Sequence, residues 1–380
     1  MSVQVIRPGL MTTVQDLGRP GLQRFGMTPG GAMDTLAMRI ANMLTGNNEW
    51  EAVLEATMIG PQLVFERDAL IAITGGDLSP AIDGEPAPMN RPLCVSAGSM
   101  LAFGQPRRGC RAYVAIAGGL GVPVVMGSRS TYIRAGLGGY EGRALQAGDR
   151  LTLRTSEGLG FRMALHDRQA LATGRSFVAS PWSAAELHPW ERFISAAGDA
   201  QAERTRGLAI PDTGSPSGER SGGEQHLAAG SASDARRPVT AIVRVLPGTH
   251  EALFDEESVR AFFGEAFAVA PQSDRMGYRL SGARLSLRRS VELLSEAVAF
   301  GTVQVPPDGN PIVLMADRQT TGGYPRIAQV ASVDLPLLAQ LKPGDWVVFE
   351  AATAGEAERL LLARERDLAQ LRTGIRLKFK

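Results

Sequence analysis

Leu145-Gln-Ala-Gly-Asp-Arg-Leu-Thr-Leu153 and Leu341-Lys-Pro-Gly-Asp-Trp-Val-Val-Phe349 share one reading. In each, Gly-Asp makes a tight turn and the residues after it alternate like a half-buried strand. The rest of the chain continues in the same way. Leu63-Val-Phe65, Leu70-Ile-Ala-Ile73, Met100-Leu-Ala-Phe103, Ala112-Tyr-Val-Ala-Ile116, Thr240-Ala-Ile-Val-Arg-Val245 and Pro311-Ile-Val-Leu-Met315 are short apolar runs parted by turn residues. Forty-four glycines and 23 prolines favour many turns over a helical bundle. The expectation is a mainly β protein with a few helices. Ala32 to Leu44 reads as one helix, with Met33, Leu36, Ala37, Ile40 and Leu44 on one face. Glu251 to Phe262 reads as a second. Glu356 to Leu371 reads as a third, with Gly374 as its stop.

A chain of 380 residues is long for a single domain. Its two ends echo each other: Glu55 and Gly60 stand as far apart as Glu296 and Gly301, and Gly75-Gly76 and Gly322-Gly323 each follow a threonine. A duplication, with one β-rich unit in 1–155 and another in 240–350, explains these echoes; recurrence of Gly-Asp turns explains them as well. Between the units, 198–238 is rich in Gly, Ser, Ala and charge and poor in large apolar residues. Such a stretch buries too little surface to offset its chain entropy. The expected organisation is a first β-barrel unit over 1–197, a linker or insertion over 198–238, a second barrel unit over 239–350, and a C-terminal helix and tail over 351–380.

Composition excludes several classes. Forty basic against 39 acidic residues leave a net charge of +1, which gives no nucleic-acid footprint. No run of 18 apolar residues offers a membrane span, and Met1 to Arg7 lack a signal-peptide core. Two cysteines, Cys94 and Cys110, suit reduced thiols and a cytoplasmic location. Lys342, Lys378 and Lys380 are the only lysines, so no P-loop exists and a Schiff-base lysine is disfavoured. The histidines His166, His188, His226 and His250 have no metal-ligand spacing, so no metal is expected.

Four segments concentrate glycine, arginine and polar side chains. They are Thr12 to Gly21 continuing through Pro29-Gly-Gly-Ala-Met-Asp34; Met126 to Gly139; Pro271-Gln-Ser-Asp-Arg-Met-Gly-Tyr-Arg279; and Ser295 to Gly309 with Ala316 to Pro325. Gly30-Gly31 before a helix offers free N–H groups and a positive dipole end, an anion or carbonyl site. Asp34 in the first turn would also complement that dipole. Arginine forks recognise carboxylates and phosphates. Each segment alone reads first as a turn whose polar groups cap its own backbone. Together they suggest a polar cleft that binds and polarises an amide or ureido group, because no Ser-His-Asp, Cys-His or metal set is present.

Gln15-Asp-Leu-Gly-Arg-Pro-Gly, Gly31-Ala-Met-Asp, Gly127-Ser-Arg-Ser-Thr-Tyr, Ser273-Asp-Arg-Met-Gly-Tyr-Arg and Asp317-Arg-Gln-Thr-Thr-Gly-Gly-Tyr-Pro resemble the allophanate hydrolase subunit 2 family, also called KipA-like. Its members include the C component of 5-oxoprolinase and part of the carboxyltransferase domain of urea amidolyase. The resemblance covers about 1–155 and 240–350. It implies two cyclophilin-like β-barrel units and a KipI-like partner (allophanate hydrolase subunit 1, the B-like component of 5-oxoprolinase). In the 5-oxoprolinase branch an A-like component joins them. The resemblance implies ATP-dependent opening of 5-oxoproline to glutamate, the leading expectation. The alternative is transfer of a carboxyl group from carboxybiotin, on a separate carrier, to urea or a related amide. A third reading is a regulatory partner of a KipI-like kinase inhibitor.

Carried over by motif, the expected site is Gln15, Asp16 and Arg19; Ser130, Tyr132 and Arg134 with Arg129; Ser273 and Asp274 with Arg275; and Gln304, Asp317, Gln319, Thr320 and Tyr324 with Glu296. Arg129, Arg275 and Arg134 are the expected anion or oxyanion binders. The amides at Gly30, Gly31, Gly322 and Gly323 are expected to hold substrate. Glu296 or Asp274 reads as general base or substrate orienter, and equally as an acceptor tying loops to the barrel. Many relatives carry Pro-Ser-Gly where this chain has Pro29-Gly30-Gly31, so no serine acts at position 30. The nucleotide is expected in the partner or across the interface.

Overall fold

The computed structural model describes residues 2–156, 158–171, 174–195 and 238–380. The mainly β expectation holds, and each of the six quoted runs lies in or overlaps a strand. Residues 198–237 of the expected linker lie outside the described residues.

The first half is two antiparallel six-stranded sheets. One runs in the order Arg150–Thr152, Ser2–Arg7, Gln62–Phe65, Met100–Phe103, Pro80–Ile82, Glu85–Pro86. The other runs Phe177–Ala179, Pro92–Val95, Ala69–Asp77, Arg108–Ile116, Val53–Thr57, Met11–Gln15. Val3, Val5, Leu63 and Phe65 of the first sheet meet Leu54, Ile71, Ile73 and Val114 of the second in one core. Ala69–Asp77 is apolar without alternation because both its faces are covered. Ile71 and Ile73 enter that core, while Leu70 and Ala72 pack under helix α1 (Thr35–Leu44) against Leu36, Ile40 and Leu44.

In the second half seven strands close into a barrel. Val239–Pro247 and Trp346–Ala351 complete the ring as a parallel pair, in register from Thr240↔Trp346 to Val245↔Ala351. Phe193–Ser195 adds to Val239–Pro247 from outside. The core stacks Phe262 on Phe349 with centroids 4.5 Å apart, and includes Val243, Val303, Val313 and Ile327. Met33, from the loop before α1, is buried in this same core. The first half therefore fills part of the second.

Helix α2 spans Gly158–Leu171, α3 Glu256–Gly264, α4 Leu335–Ala339 and α5 Ala354–Lys378. The helix expected over Glu251–Phe262 is broken. Oδ1 of Asp255 accepts the Ser258 N–H at 2.7 Å and starts α3 there, leaving Glu251–Leu253 as a separate 3-10 turn. Gly374 does not end α5, which runs on to Lys378 because Ile375 and Phe379 anchor its last turn beside α1. Bidentate Arg39–Glu365 bonds of 2.5 and 2.7 Å strap α5 to α1. Among the described residues no helix is long and apolar enough to cross a membrane.

Candidate functional site

Arg275 precedes the barrel strand Gly277–Ser281 and reaches across the seam into the first half. Its side chain is 7% exposed. Nε donates to Oδ2 of Asp317 at 2.8 Å, and Nη2 to Oδ1 at 3.1 Å. Nη2 also donates to the Gly31 carbonyl at 2.6 Å, and Nη1 donates to Glu55. Burial works against the guanidinium charge, but Asp317 and Glu55 outweigh it and hold its pKa above the ordinary value. A buried cation so paired is stable only while both carboxylates stay in place.

Glu55 extends the network. Its Oε2 accepts the Met33 N–H and the Tyr113 hydroxyl, each at 2.8 Å. The Tyr113 hydroxyl accepts the Asp34 N–H at 2.7 Å. Asp34 caps α1: Oδ1 accepts the Ala37 N–H at 2.9 Å, and Oδ2 accepts from Gln340 at 2.8 Å and lies 2.9 Å from Nε2 of His188. Burial raises the Asp34 pKa, but the charge and hydrogen bonds of His188, with those of Ala37 and Gln340, bring it below the usual carboxylate value. The N–H groups after Gly30-Gly31 are thus spent on Glu55, Tyr113 and Asp34, so the expected anion site at the start of α1 is not free.

The first two motifs fold around Asp16. Its Oδ1 accepts from the Gly18 N–H at 2.7 Å and from the Ser128 and Ser130 hydroxyls at 2.6 Å each; Oδ2 accepts the Arg129 N–H at 2.5 Å. Gln15 is fully buried and donates to Thr13 at 3.0 Å. Arg19 is 1% exposed and donates to the Ser130 carbonyl, while its Nη1 has no partner among the described residues. Burial lowers its pKa against the pull of Asp16 and Asp317. A Cβ at Gly30 would stand 3.5 Å from Oδ1 of Asp317 and 3.7 Å from that Nη1. Tyr132 accepts from the Thr28 hydroxyl at 3.3 Å.

These placements correct two expectations. Arg275 is an ion-pair bolt between the halves with every nitrogen engaged, so it is not a free oxyanion donor. Arg129 donates through Nε to the Val122 carbonyl at 3.2 Å, and its Nη1 lies 3.7 Å from Glu51, so its charge is also committed. Glu296 is exposed, pairs with Arg326, and faces Gly322 across a two-stranded ladder. It is therefore no buried acceptor, and it does not border the seam cavity.

The seam encloses a cavity of about 380 Å³, bordered by Arg134, Ser273, Asp274, Arg275, Asp317 and Lys342, among others. Arg134 is exposed and makes no ion pair among the described residues. Oδ1 of Asp274 accepts the Met276 and Gly277 N–H groups at 2.8 and 3.1 Å; its Oδ2 accepts no hydrogen bond among them. Ser273 bonds the backbone of Arg279. Gln304, Gln319, Thr320, Gly322, Gly323 and Tyr324 do not border this cavity. Gln304 is buried with its Nε2 against Gly322, where a Cβ would stand 2.4 Å away.

Glu55, Tyr113, His188, Gln340 and Arg111 belong to the network without a motif to mark them. Arg111 donates to the Tyr278 hydroxyl and the Ala339 carbonyl at 2.6 Å each. One signal for Glu55 was present: a carboxylate inside the apolar run Val53-Leu-Glu-Ala-Thr57 needs a buried partner.

A β-barrel joined through a buried ion-pair seam to a two-sheet unit defines the class. Residues 25–182 and 206–351 match the family described as carboxyltransferase domain, subdomain A and B, and the chain belongs to it. The chain is 34% identical to the C component of 5-oxoprolinase from Haemophilus influenzae, over 95% of this chain and 94% of that protein. It is 34% identical to the C component of 5-oxoprolinase from Escherichia coli, over 97% of each. The solved urea amidolyase of K. lactis superposes with a TM-score of 0.73 at 28% identity, covering 97% of this chain but 20% of that one.

Proposed function

We propose that this chain is the C-type component of an ATP-dependent 5-oxoprolinase, acting in the cytoplasm with B-like (KipI-like) and A-like partner proteins. The observation that carries the reading is length-for-length similarity to two proteins named as the C component of 5-oxoprolinase, at 34% identity. Cys94 and Cys110 are both buried and are not joined by a disulfide, which suits a reducing compartment.

In this reading the seam cavity holds the lactam. Opening a lactam adds water across its C–N bond: the water oxygen joins the carbonyl carbon, whose oxygen must be polarised, and a water proton passes to the ring nitrogen as that bond breaks. Arg134 supplies an uncommitted guanidinium for an oxygen or for the substrate carboxylate. Oδ2 of Asp274 is an acceptor for the lactam N–H. Arg275, Glu55 and Asp317 fix the wall on which these groups stand. ATP is a co-reactant that acts with the partner proteins.

The test is reconstitution with the B-like and A-like proteins. ATP-dependent release of glutamate from 5-oxoproline is the expected result. The likeness to urea amidolyase, of which the chain spans about a fifth, favours a second reading: carboxyl transfer from carboxybiotin to an amide. No glutamate release, with urea carboxylated by added carboxybiotin, would put that reading first.

A further inference from the structure

Arg111 stands in the strand Arg108–Ile116 and is 5% exposed. Its hydrogen bonds all leave from Nη1: to the Tyr278 hydroxyl and the Ala339 carbonyl at 2.6 Å each, and to the Cys110 sulfur at 3.2 Å. These acceptors are neutral, because burial pushes the ionisation of Cys110 and Tyr278 up. Among the described residues, Nε is buried without a partner and Nη2 makes no hydrogen bond. The Nε–Nη2 edge of a guanidinium is a side that takes a carboxylate through two parallel bonds.

None of the Arg111 hydrogen bonds goes to a carboxylate. Glu55 lies near enough to act on it, but its oxygens already accept from Arg275, Met33 and Tyr113. An arginine keeps its proton in a protein, so this buried charge stands unpaired among the described residues. The other cations that border the seam cavity are provided for. Arg275 is held by Asp317 and Glu55, and Lys342 by Asp345 at 2.7 Å. Arg134 is exposed to water.

Thr57 stands directly opposite Arg111 in the antiparallel register. Their side chains therefore share one face of the sheet, with Cβ atoms about 4.5–5.5 Å apart. Met11 faces Thr57 from the next strand. All three border the seam cavity of about 380 Å³. The Thr57 hydroxyl is buried and has no partner among the described residues. Two unanswered donors thus lie side by side on one cavity wall. A carboxylate answers both and supplies the missing charge. A phosphate chain would set several negative charges beside Asp274 and Asp317, which border the same cavity.

We propose that Arg111 and Thr57 form a subsite for a single carboxylate, which selects an amide substrate that carries an acid group. That 5-oxoproline is this substrate rests on the proposed reaction; the subsite rests on the cavity wall alone. With the carboxylate held there, the lactam N–H is left for Asp274 and the lactam oxygen for Arg134. Urea has no charge to offer Arg111, so the subsite favours lactam opening over urea carboxylation.

Calorimetry on the full chain compares three probes: 5-oxoproline, cyclopentanecarboxylate (the acid without the lactam) and 2-pyrrolidinone (the lactam without the acid). Both acids should bind saturably, compete with each other, and bind at least about tenfold tighter than 2-pyrrolidinone, the value of one charge-assisted hydrogen bond. Arg111→Gln should weaken binding of both acids by about tenfold or more. Thr57→Val should weaken it by about fivefold and leave the melting temperature nearly unchanged, because the hydroxyl has no protein partner to lose. No saturable heat from either acid, equal affinity for 2-pyrrolidinone, or undiminished acid binding by folded Arg111→Gln or Thr57→Val protein would each overturn the subsite. Binding of both acids with the expected preference, but no glutamate release by the reconstituted complex, would support the subsite and overturn the proposed reaction.

Discussion

Arg275 gives all three guanidinium nitrogens to Glu55, Asp317 and the Gly31 carbonyl. Removing one carboxylate leaves a buried charge half-compensated. Glu55→Gln should therefore lower unfolding free energy by about 3–5 kcal/mol in urea titrations. A loss below about 1 kcal/mol would mean that water reaches the guanidinium instead. Asp34 gives a pH signature. Its pKa is lowered on folding from an ordinary 3.8, so its contribution is fully present above that value and is lost as pH falls through the folded value. The stability gap between the wild type and Asp34→Asn should be wide at pH 7 and should shrink on acidification below about pH 4. A gap that stays constant with pH would contradict the pairing.

At the scale of elements, glycines separate strain from mere tolerance. Gly31 has φ +95°, and a Cβ there would lie 2.8 Å from the Leu17 carbonyl carbon. Gly21 has φ +88° but open space around it. Gly31→Ala should cost well over about 1 kcal/mol, and clearly more than Gly21→Ala. Gly374, inside α5 with nothing near it, should gain about 0.5–1 kcal/mol on substitution by Ala; thermal melts of the three variants check both expectations. The strands were legible because short apolar runs and Gly-Asp turns are local signals. α2 was not, since Gly158 and Gly160 stand in its first turn where a helix signature would begin. The far end of α5 was misread because its extension depends on Ile375 and Phe379 packing near α1, a tertiary effect that no local pattern encodes.

For the whole molecule, the seam decides how the two halves act together. The motif around Arg275 was visible as a cation in a glycine-containing turn. Its partner Glu55 lies 220 residues away, beyond the reach of local pattern, so a structural ion pair read as a substrate contact. The groups left uncommitted at the cavity include Arg134 and one oxygen of Asp274, along with the Thr57 hydroxyl and Nε of Arg111. The most direct measurement is the steady-state rate of ATP-dependent glutamate release by the reconstituted complex carrying Arg134→Ala. Because Arg134 is exposed and unpaired among the described residues, the melting temperature should stay put while kcat/KM falls by more than about tenfold. An unaltered kcat/KM in an intact complex would show that the seam cavity is not where 5-oxoproline is opened.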